Sequence, residues 1–546
     1  MIRRSVLAIC VVGCTAAPAR APAPVPEQGP RTRAERTGFG ETSSHADVLA
    51  FLDSLVRLGA PLHVDTLGTS AEGRVIPVVV ASRPRVATPD EARRLGRPVV
   101  WVQGNIHGGE VEGKEALLAL LRDLSLDAAP NALDSTVLVA VPIYNTDGNE
   151  RLAPQERNRS SQNGPATIGA RANGQGLDLN RDYVKAEAPE TRGSLALFAR
   201  WDPEVFVDLH TTNGSYHGYA LTYSPSLSPA APWHAFEQDT LLPVLRRRVR
   251  ERRGIETFPY GNFGRTYGAE RLTDLAKDGW WTYDHRPRYG TNYVGLRGRL
   301  SILAEAYSHD PFRRRVEATD AFVREVLGWV GEHAGDVRRR ARLADEAMMR
   351  LAGGAADSIP VGAALPASPP VAEVLAEELV ATGDSSVTEP GVPPGIRRTG
   401  RMRTLRIPIG DRFEPERWRP LGGSYVLAAG DDSSVVVLLR RHGIAVERLP
   451  APWSGRVERF VVDSVARAER PFQGHRETSV RGRWATAVET IPAGAWVVPV
   501  AQPLGRLAAY LLEPESDDGV VTWGVVDVEA GAPYPIGRAI DAFGAR

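Results

Sequence analysis

The segment "VQGNIHGGEVEGKEALLALLRDL", Val102 to Leu124, decides the fold and raises the question of function. It begins as an apolar run of strand type, turns through glycines and continues with the periodicity of an amphipathic helix. His107 and Glu110 stand three residues apart at the turn. Because ligands bind at the carboxyl ends of strands in open α/β sheets, the segment predicts two potential metal ligands at a strand-to-helix corner.

The chain on either side of this corner divides into two regions. Up to about Arg350, strand-like runs such as "STVLVAVPIYN" and "PEVFVDLHTT" alternate with helical patterns such as "HADVLAFLDSLVRL". This alternation predicts an α/β domain with a largely parallel or mixed sheet. Beyond Gly353, short runs of β type, including "SSVVVLLRRHGIAVERL" and "AWVVPVAQP", are separated by turn residues. They predict an all-β, sandwich-like C-terminal region.

The N-terminal residues predict export. "MIRRSVLAICVVGC", residues 1–14, has two arginines followed by a short apolar stretch, as in a signal peptide. Its end resembles a bacterial lipobox, in which Cys14 would carry a lipid anchor, and the competing cleavage site lies in "APARAPAP". Residues 15–40 are predicted to be a disordered tether, 41–350 the α/β domain and 351–546 the β region. The expected location is the cell envelope, as a periplasmic or membrane-anchored lipoprotein, or the extracellular space.

Composition narrows the kind of site. The 546 residues have a formal net charge of zero, which argues against nucleic acid as the principal partner, and no obligate protein partner is inferred. The only two cysteines, Cys10 and Cys14, lie in the predicted signal. The folded part therefore has no disulfide, and a metal ion must be held by His, Asp or Glu.

Two later residues extend the predicted metal site. His210 ends the strand-like run "PEVFVDLH", and with His107 and Glu110 it makes two imidazoles and one carboxylate, the ligand set of catalytic zinc. Glu305 lies in the apolar run "SILAEAY". A carboxylate there faces a polar cavity, where it can act as a general base, or pairs with a cation such as Arg299.

The segment "DLNRD" supplies a candidate anion site. It contains Asn180 and Arg181, and an amide beside a guanidinium is suited to gripping a carboxylate. A hydrolase that holds a free carboxylate next to its metal ion cuts the terminal residue of a peptide.

The ordered set of motifs resembles the zinc metallocarboxypeptidases of the carboxypeptidase A type, peptidase family M14. The resemblance covers roughly Ser43 to Gly335 and includes "HGGE", "NTDG", "DLNRD", "VDLH" and "SILAEAY". It implies a mixed-sheet α/β/α domain and one Zn²⁺ ion. By position, the implied zinc ligands are His107, Glu110 and His210, the general base is Glu305, and the groups that bind the terminal carboxylate are Asn180 and Arg181.

The resemblance implies two further roles, and for each of them more than one residue is a candidate. Arg171 best matches the arginine that polarises the scissile carbonyl, and Arg159 is its rival. Tyr283 matches the tyrosine that closes over the substrate, with Tyr289 and Tyr293 as alternatives.

These observations predict a metallocarboxypeptidase that acts on the C-termini of peptides or proteins. One alternative is a zinc amidase or deacylase acting on acylamino acids or peptidoglycan stem peptides, which would share the metal site. The other is a non-catalytic envelope protein that binds peptides.

Overall fold

The computed structural model describes residues 29–264, 277–353, 357–389, 392–430, 433–541 and 543. The predicted export signal, 1–14, lies outside these residues, as does 15–28 of the predicted tether. The prediction of a disordered tether is wrong for residues 29–40, which include a helix. Helix α1 (Arg33–Arg36) begins with a capping box between Thr32 and Glu35, and the Glu35 carboxylate pairs with Arg122 at 2.6 Å.

The first region contains twelve helices and twelve strands within the described residues. The helices after α1 are α2 (His45–Arg57), α3 (Pro89–Leu95), α4 (Glu112–Leu126), α5 (Thr146–Glu150), α6 (Gln155–Asn158), α7 (Pro189–Trp201), α8 (His234–Phe236), α9 (Leu242–Arg253), α10 (Gly290–Leu296), α11 (Phe312–Glu332) and α12 (Ala334–Met349). The strands are β1 (Leu62–Thr69), β2 (Val75–Ala81), β3 (Val99–Gly104), β4 (Val137–Val141), β5 (Ala153–Pro154), β6 (Thr167–Ile168), β7 (Val205–Thr211), β8 (Leu221–Pro225), β9 (Thr257–Pro259), β10 (Asn262–Phe263), β11 (Trp280–Trp281) and β12 (Leu300–Ala306).

The main sheet is mixed and has eight strands among the described residues, in the order β1-β2-β4-β3-β7-β12-β8-β9. The four central strands, β4, β3, β7 and β12, are parallel, whereas β12 pairs antiparallel with β8. Every residue of β3, β7 and β12 is buried, which is why these strands appear in the sequence as continuous apolar runs. The predicted mixed-sheet α/β fold is confirmed.

Helices cover both faces of this sheet. Along β3, Val100 and Val102 pack on the side of Leu117 in α4, whereas Trp101 points to the other side and packs against Phe198 of α7. This alternation follows from the two-residue side-chain period of a strand. The result is the three-layer arrangement expected from the sequence.

The C-terminal region is built mainly of strands: β13 (Asp357–Ala364), β14 (Val371–Ala381), β15 (Ile396–Gly410), β16 (Glu414–Leu421), β17 (Ser424–Leu427), β18 (Glu447–Arg448), β19 (Trp453–Arg467), β20 (Thr478–Ile491), β21 (Trp496–Pro499) and β22 (Gly537–Ala539). Its largest sheet has the order β18-β21-β17-β22-β19-β20. In addition, β15 pairs in parallel with β11 of the first region. The two regions are therefore joined by backbone hydrogen bonds as well as by side-chain packing.

Two helices also occur in the C-terminal region, α13 (Ser434–Arg441) and α14 (Gly505–Leu512). The prediction of β structure for the run "SSVVVLLRRHGIAVERL" is wrong where α13 forms. The side chain of Ser433 accepts a hydrogen bond from Val436 N and caps this helix, whose buried face includes Leu438 and Leu439. Tertiary burial thus outweighs the strand preference of the three valines. In the described part of the chain, no helix combines the length and apolarity of a membrane span.

Candidate metal centre

The corner after β3 is shaped by Asn105 and Gly108. Asn105 has a left-handed φ of 61°, and its side-chain amide donates to the carbonyl oxygens of Gly108 and Glu110, both at 3.1 Å. A Cβ on Gly108 would lie 2.3 Å from the carbonyl carbon of Gly148, so only glycine fits there. The local sequence therefore folds the chain back sharply enough to turn His107 and Glu110 towards each other.

His107, Glu110 and His210 form the predicted cluster. One potential ligand atom from each lies within 4.8 Å of the others, and all three residues are buried. Nδ1 of His107 lies 2.9 Å from Glu110 Oε1, and Nδ1 of His210 lies 3.0 Å from Glu110 Oε2. Both imidazoles thus direct the same nitrogen towards the shared carboxylate.

Each histidine also contacts a second carboxylate through its other nitrogen. Nε2 of His107 donates to Asp178 Oδ1 at 3.1 Å, and Nε2 of His210 lies 3.1 Å from Asp208 Oδ2. Such partners hold the proton on Nε2 and leave the Nδ1 lone pair for a metal ion. The donor set and its orientation therefore fit a zinc ion held by two nitrogens and one carboxylate.

The charges in the cluster reinforce this arrangement. Burial alone would raise the pKa of Glu110, but His107 and Arg159 outweigh it and hold the pKa well below its usual range. Burial would lower the pKa of His210, but Asp208 and Glu110 raise it well above the ordinary value. Buried opposite charges of this kind are typical of a site that accepts a cation in place of protons.

Glu305 reaches the cluster because of strand register. In the parallel pair of β7 and β12, Glu305 is the direct partner of His210. Burial, together with the charge of Glu110, raises the pKa of Glu305 to about 8. Its Oε2 has no hydrogen-bond partner in the described part of the structure. The alternative pairing with Arg299 is wrong, because Arg299 binds Asp202 and Asp345 instead.

Arg171 and Arg159 approach the cluster from different sides. Arg159 is nearly buried, donates to Glu110 Oε1 at 2.6 Å and anchors its other nitrogen on backbone carbonyls. Arg171 lies farther from Glu110, at 3.5 Å, and is held by Asp178 at 2.8 Å. Its side chain is 39% exposed and lines the cavity beside the cluster. Of the two, Arg171 is therefore the one placed to meet a ligand.

Asn180 and Arg181 lie on a tight turn, Leu179–Arg181, at the wall of the same cavity. Asn180 accepts a hydrogen bond from Gly290 N at 2.9 Å. The Arg181 guanidinium stacks 3.9 Å from the centre of the Tyr289 ring. Among the described residues Arg181 forms no ion pair, so its charge is available to an anion in the cavity.

The three candidate tyrosines differ in position. Tyr283 and Tyr289 line the cavity, with ring centres 5.1 Å apart. Tyr293 is buried elsewhere and its hydroxyl lies 2.8 Å from Nδ1 of His442. Tyr293 is therefore too well engaged to cover a ligand at the cluster.

The structure adds residues to which the sequence interpretation gave no role. Asp178 lies in the quoted motif "DLNRD", and Asp208 precedes His210 by two residues on one strand. Because strand residues two apart face the same side, the spacing of Asp208 and His210 could have predicted that the carboxylate lies beside the imidazole. Tyr260 and Thr291, which also line the cavity, carried no such signal.

Comparison with known proteins gives a family for this region. Residues 48–252 match the family model described as "Zinc carboxypeptidase". The match includes His107, Glu110 and His210 but ends before Glu305.

Individual proteins show the same similarity. The chain is 24% identical over 485 residues to "Carboxypeptidase 2" of Trichophyton rubrum, covering 86% of this chain and 81% of that protein. It is 34% identical over 158 residues to "Carboxypeptidase D" of Rattus norvegicus, covering 27% of this chain and 10% of that one. A solved metallo-carboxypeptidase from Burkholderia cenocepacia is 17% identical with a TM-score of 0.40, covering 54% of this chain and 70% of that one.

The buried His–Glu–His cluster, the mixed sheet that carries it and the match of residues 48–252 agree with one another. Within the α/β region of this chain, residues 48–252 carry the zinc carboxypeptidase family match.

Proposed function

We propose that this chain is a metallocarboxypeptidase that releases the C-terminal amino acid of peptides and proteins. One observation carries the proposal: Glu305 and the guanidinium of Arg181, which has no ion pair within the described ranges, open into the same cavity as the cluster of His107, Glu110 and His210. An anion site beside a metal site and a buried acid is what cleavage next to a free carboxylate requires.

Substrate binding falls to the turn at Leu179–Arg181. Arg181 is positioned to pair with the terminal carboxylate, and the amide of Asn180 to donate a hydrogen bond to it. The aromatic face of Tyr289 keeps the guanidinium in place. Tyr283, which lines the cavity beside Tyr289, is proposed to cover the substrate.

Glu305 is proposed to move the proton. Its carboxylate is buried beside the cluster, and its Oε2 has no partner among the described residues, which suits a group that takes a proton from water and returns it to the leaving amine. Arg171, beside the cluster, stabilises the negative charge that develops on the carbonyl oxygen. One zinc ion, held by His107, Glu110 and His210, would supply Lewis-acid polarisation and lower the pKa of water.

The test compares peptides that differ only at their C-terminus. A library of free and amidated peptides is incubated with the protein, with and without a chelator, and the products are identified by mass spectrometry. Loss of single C-terminal residues from free peptides only, abolished by the chelator, is the expected result. Equal cleavage of amidated peptides would indicate an amidase instead, and no cleavage with zinc bound would indicate a binding protein.

We also propose that the protein works outside the cytosol. The support is the signal-like segment at residues 1–14, and Cys14 would be the site of lipid attachment. Metabolic labelling with a fatty-acid analogue, compared between the native chain and Cys14→Ser, tests the anchor. Equal labelling of both would exclude it.

A further inference from the structure

One loop of the C-terminal region reaches a turn that carries residues of the candidate metal site. The hairpin loop between β19 and β20, residues 468–477, extends over the turn that begins at Asp178. There the Oε1 atom of Gln473 accepts a hydrogen bond from Asp178 N at 2.9 Å. The two residues are 295 positions apart in the sequence.

The conformation of the loop is built to present this side chain. Gln473 has a left-handed φ of 49°, which is uncommon for a residue other than glycine, and Gly474 follows with a φ of 82°. Phe472 and His475 exchange backbone hydrogen bonds of 2.7 and 3.0 Å across the tip. His475 also pairs with Glu187 of the first region at 2.7 Å.

Asp178 is the residue through which this contact would act. Its carboxylate receives His107 Nε2 at 3.1 Å and Arg171 at 2.8 Å, and it also caps the turn by accepting from Asn180 N at 3.0 Å. A shift of the Asp178 backbone would therefore move a metal ligand, the arginine beside it and the carboxylate-binding turn together.

The same loop also contacts a second segment that lines the cavity. Glu477, at the end of the loop, accepts from Arg286 at 3.3 Å and from Arg288 at 2.6 Å. Arg288 is further bound by Asp518 of the C-terminal region, which accepts from its backbone N–H at 2.6 Å. Tyr289, the ring that stacks on Arg181, is the next residue in the chain.

We propose that the C-terminal region is part of the catalytic unit, with Gln473 and Glu477 as positioning residues for the two walls of the cavity. This inference rests on the proposed carboxypeptidase function. Gln473 supports the turn at Asp178, which holds a metal ligand, Arg171 and the carboxylate-binding residues, and Glu477 supports the segment that carries Tyr289. Neither side chain lines the cavity or touches the reacting atoms.

The first experiment uses Gln473→Gly, which removes the side chain while suiting the left-handed backbone. The matched control is Arg470→Ala, an exposed residue of the same loop. We expect Gln473→Gly to lower kcat about threefold to tenfold and to weaken zinc binding by a similar factor, as loss of one outer hydrogen bond predicts. Gln473→Glu, which keeps an acceptor at the same reach, should restore zinc binding.

The second experiment uses Glu477→Gln. We expect KM for a peptide with a free C-terminus to rise about threefold to tenfold while zinc affinity stays at the native value. The reason is that Glu477 supports the segment that carries Tyr289 and contacts no metal ligand. Zinc affinity is measured by competition with a chromophoric chelator, and melting temperature is recorded for every variant.

The outcomes separate the two proposals. If Gln473→Gly and Arg470→Ala have the same zinc affinity and the same kcat, the positioning role is overturned. It is also overturned if the changes in kcat and KM of Gln473→Gly and Glu477→Gln simply follow the loss of melting temperature in each variant. If the native protein cleaves no peptide, the proposed function fails, yet the difference in zinc affinity between Gln473→Gly and Arg470→Ala still tests the inference.

Discussion

Arg181 in the α/β region and Arg538 in the C-terminal region show how differently the two regions use charge. Arg538 is buried and bonded to two carboxylates, Glu458 at 2.7 Å and Glu513 at 3.1 Å. Arg181 faces the cavity and, among the described residues, has no ion pair. Arg181 is only half-buried, so solvent keeps its charge stable without a partner, and the guanidinium stays open to an anionic ligand in the cavity.

The contrast extends to the carboxylates. Glu305 keeps an unbonded oxygen beside the metal cluster, whereas Asp518 in the C-terminal region is fully engaged by Arg288 and by Trp523 Nε1 at 2.8 Å. Glu305 thus keeps an oxygen open to a ligand at the metal cluster. Asp518 instead uses its carboxylate to hold Arg288, which precedes the cavity-lining Tyr289.

The largest expected effect is that of Glu305→Gln. If chemistry resides at this edge of the sheet, kcat falls about 10³-fold, as expected for loss of a general base, while bound zinc is retained. The control is Glu204→Gln, which changes a half-buried glutamate at the opposite edge, whose carboxylate accepts a hydrogen bond from Val99 N at 2.7 Å. Steady-state kinetics and metal analysis check both variants, and an active Glu305→Gln enzyme refutes the assignment.

The substitution Arg171→Ala is expected to have the next largest effect. Losing one group that stabilises developing charge should lower kcat about 10²-fold. Arg157→Ala, an exposed arginine two residues before Arg159, serves as the matched control and should be neutral. If Arg159→Ala lowers kcat while Arg171→Ala does not, the rival assignment is the correct one.

Asp208→Asn tests the carboxylate behind His210. Removing an outer partner of a metal-binding histidine typically weakens metal affinity by about 10-fold to 100-fold. The same substitution at Asp463, an exposed residue of the C-terminal region, should leave affinity unchanged. Competition with a chelator measures the difference, and equal affinities would show that His210 needs no such partner.

The smallest effect concerns His442, which joins the two regions. It is fully buried, with Nδ1 at the Tyr293 hydroxyl and Nε2 donating to Val184 O at 3.0 Å, and burial lowers its pKa to about 3. Because the unfolded chain binds the proton more readily, stability falls as pH drops below about 6.5. At pH 5.5 the loss is about 1.4 kcal/mol.

His442→Gln should remove this part of the acid sensitivity. Denaturant unfolding at pH 7.5 and 5.5 compares the two proteins, whose other titrating groups are the same. An unchanged pH dependence in the variant would show that His442 does not carry the effect.

Much of the α/β region could be predicted from the sequence because its central strands are buried on both faces and end in polar residues. This pattern identified His107, His210 and Glu305 before their distances were known. The choice between Arg171 and Arg159 could not be made, since it depends on which guanidinium is covered by backbone. The helix α13 was missed because its valines favour strands until tertiary packing decides.

The role of Gln473 lay beyond sequence reasoning for a different reason. Its partner is 295 residues away and is a backbone N–H, which every residue except proline possesses. No residue type at position 178 could have signalled the contact. Long-range bonds to backbone atoms are determined by the fold alone.

The place of β12 in the sheet has a consequence for biosynthesis. This strand lies between β7 and β8, both of which precede it in the chain, and it brings Glu305. Until β12 inserts between them, β7 and β8 leave the sheet with two open edges, and Glu305 is missing from the metal cluster. Peptide cleavage therefore starts only when β12 has paired with β7 and β8, and chains truncated before Leu300 would have no peptidase activity.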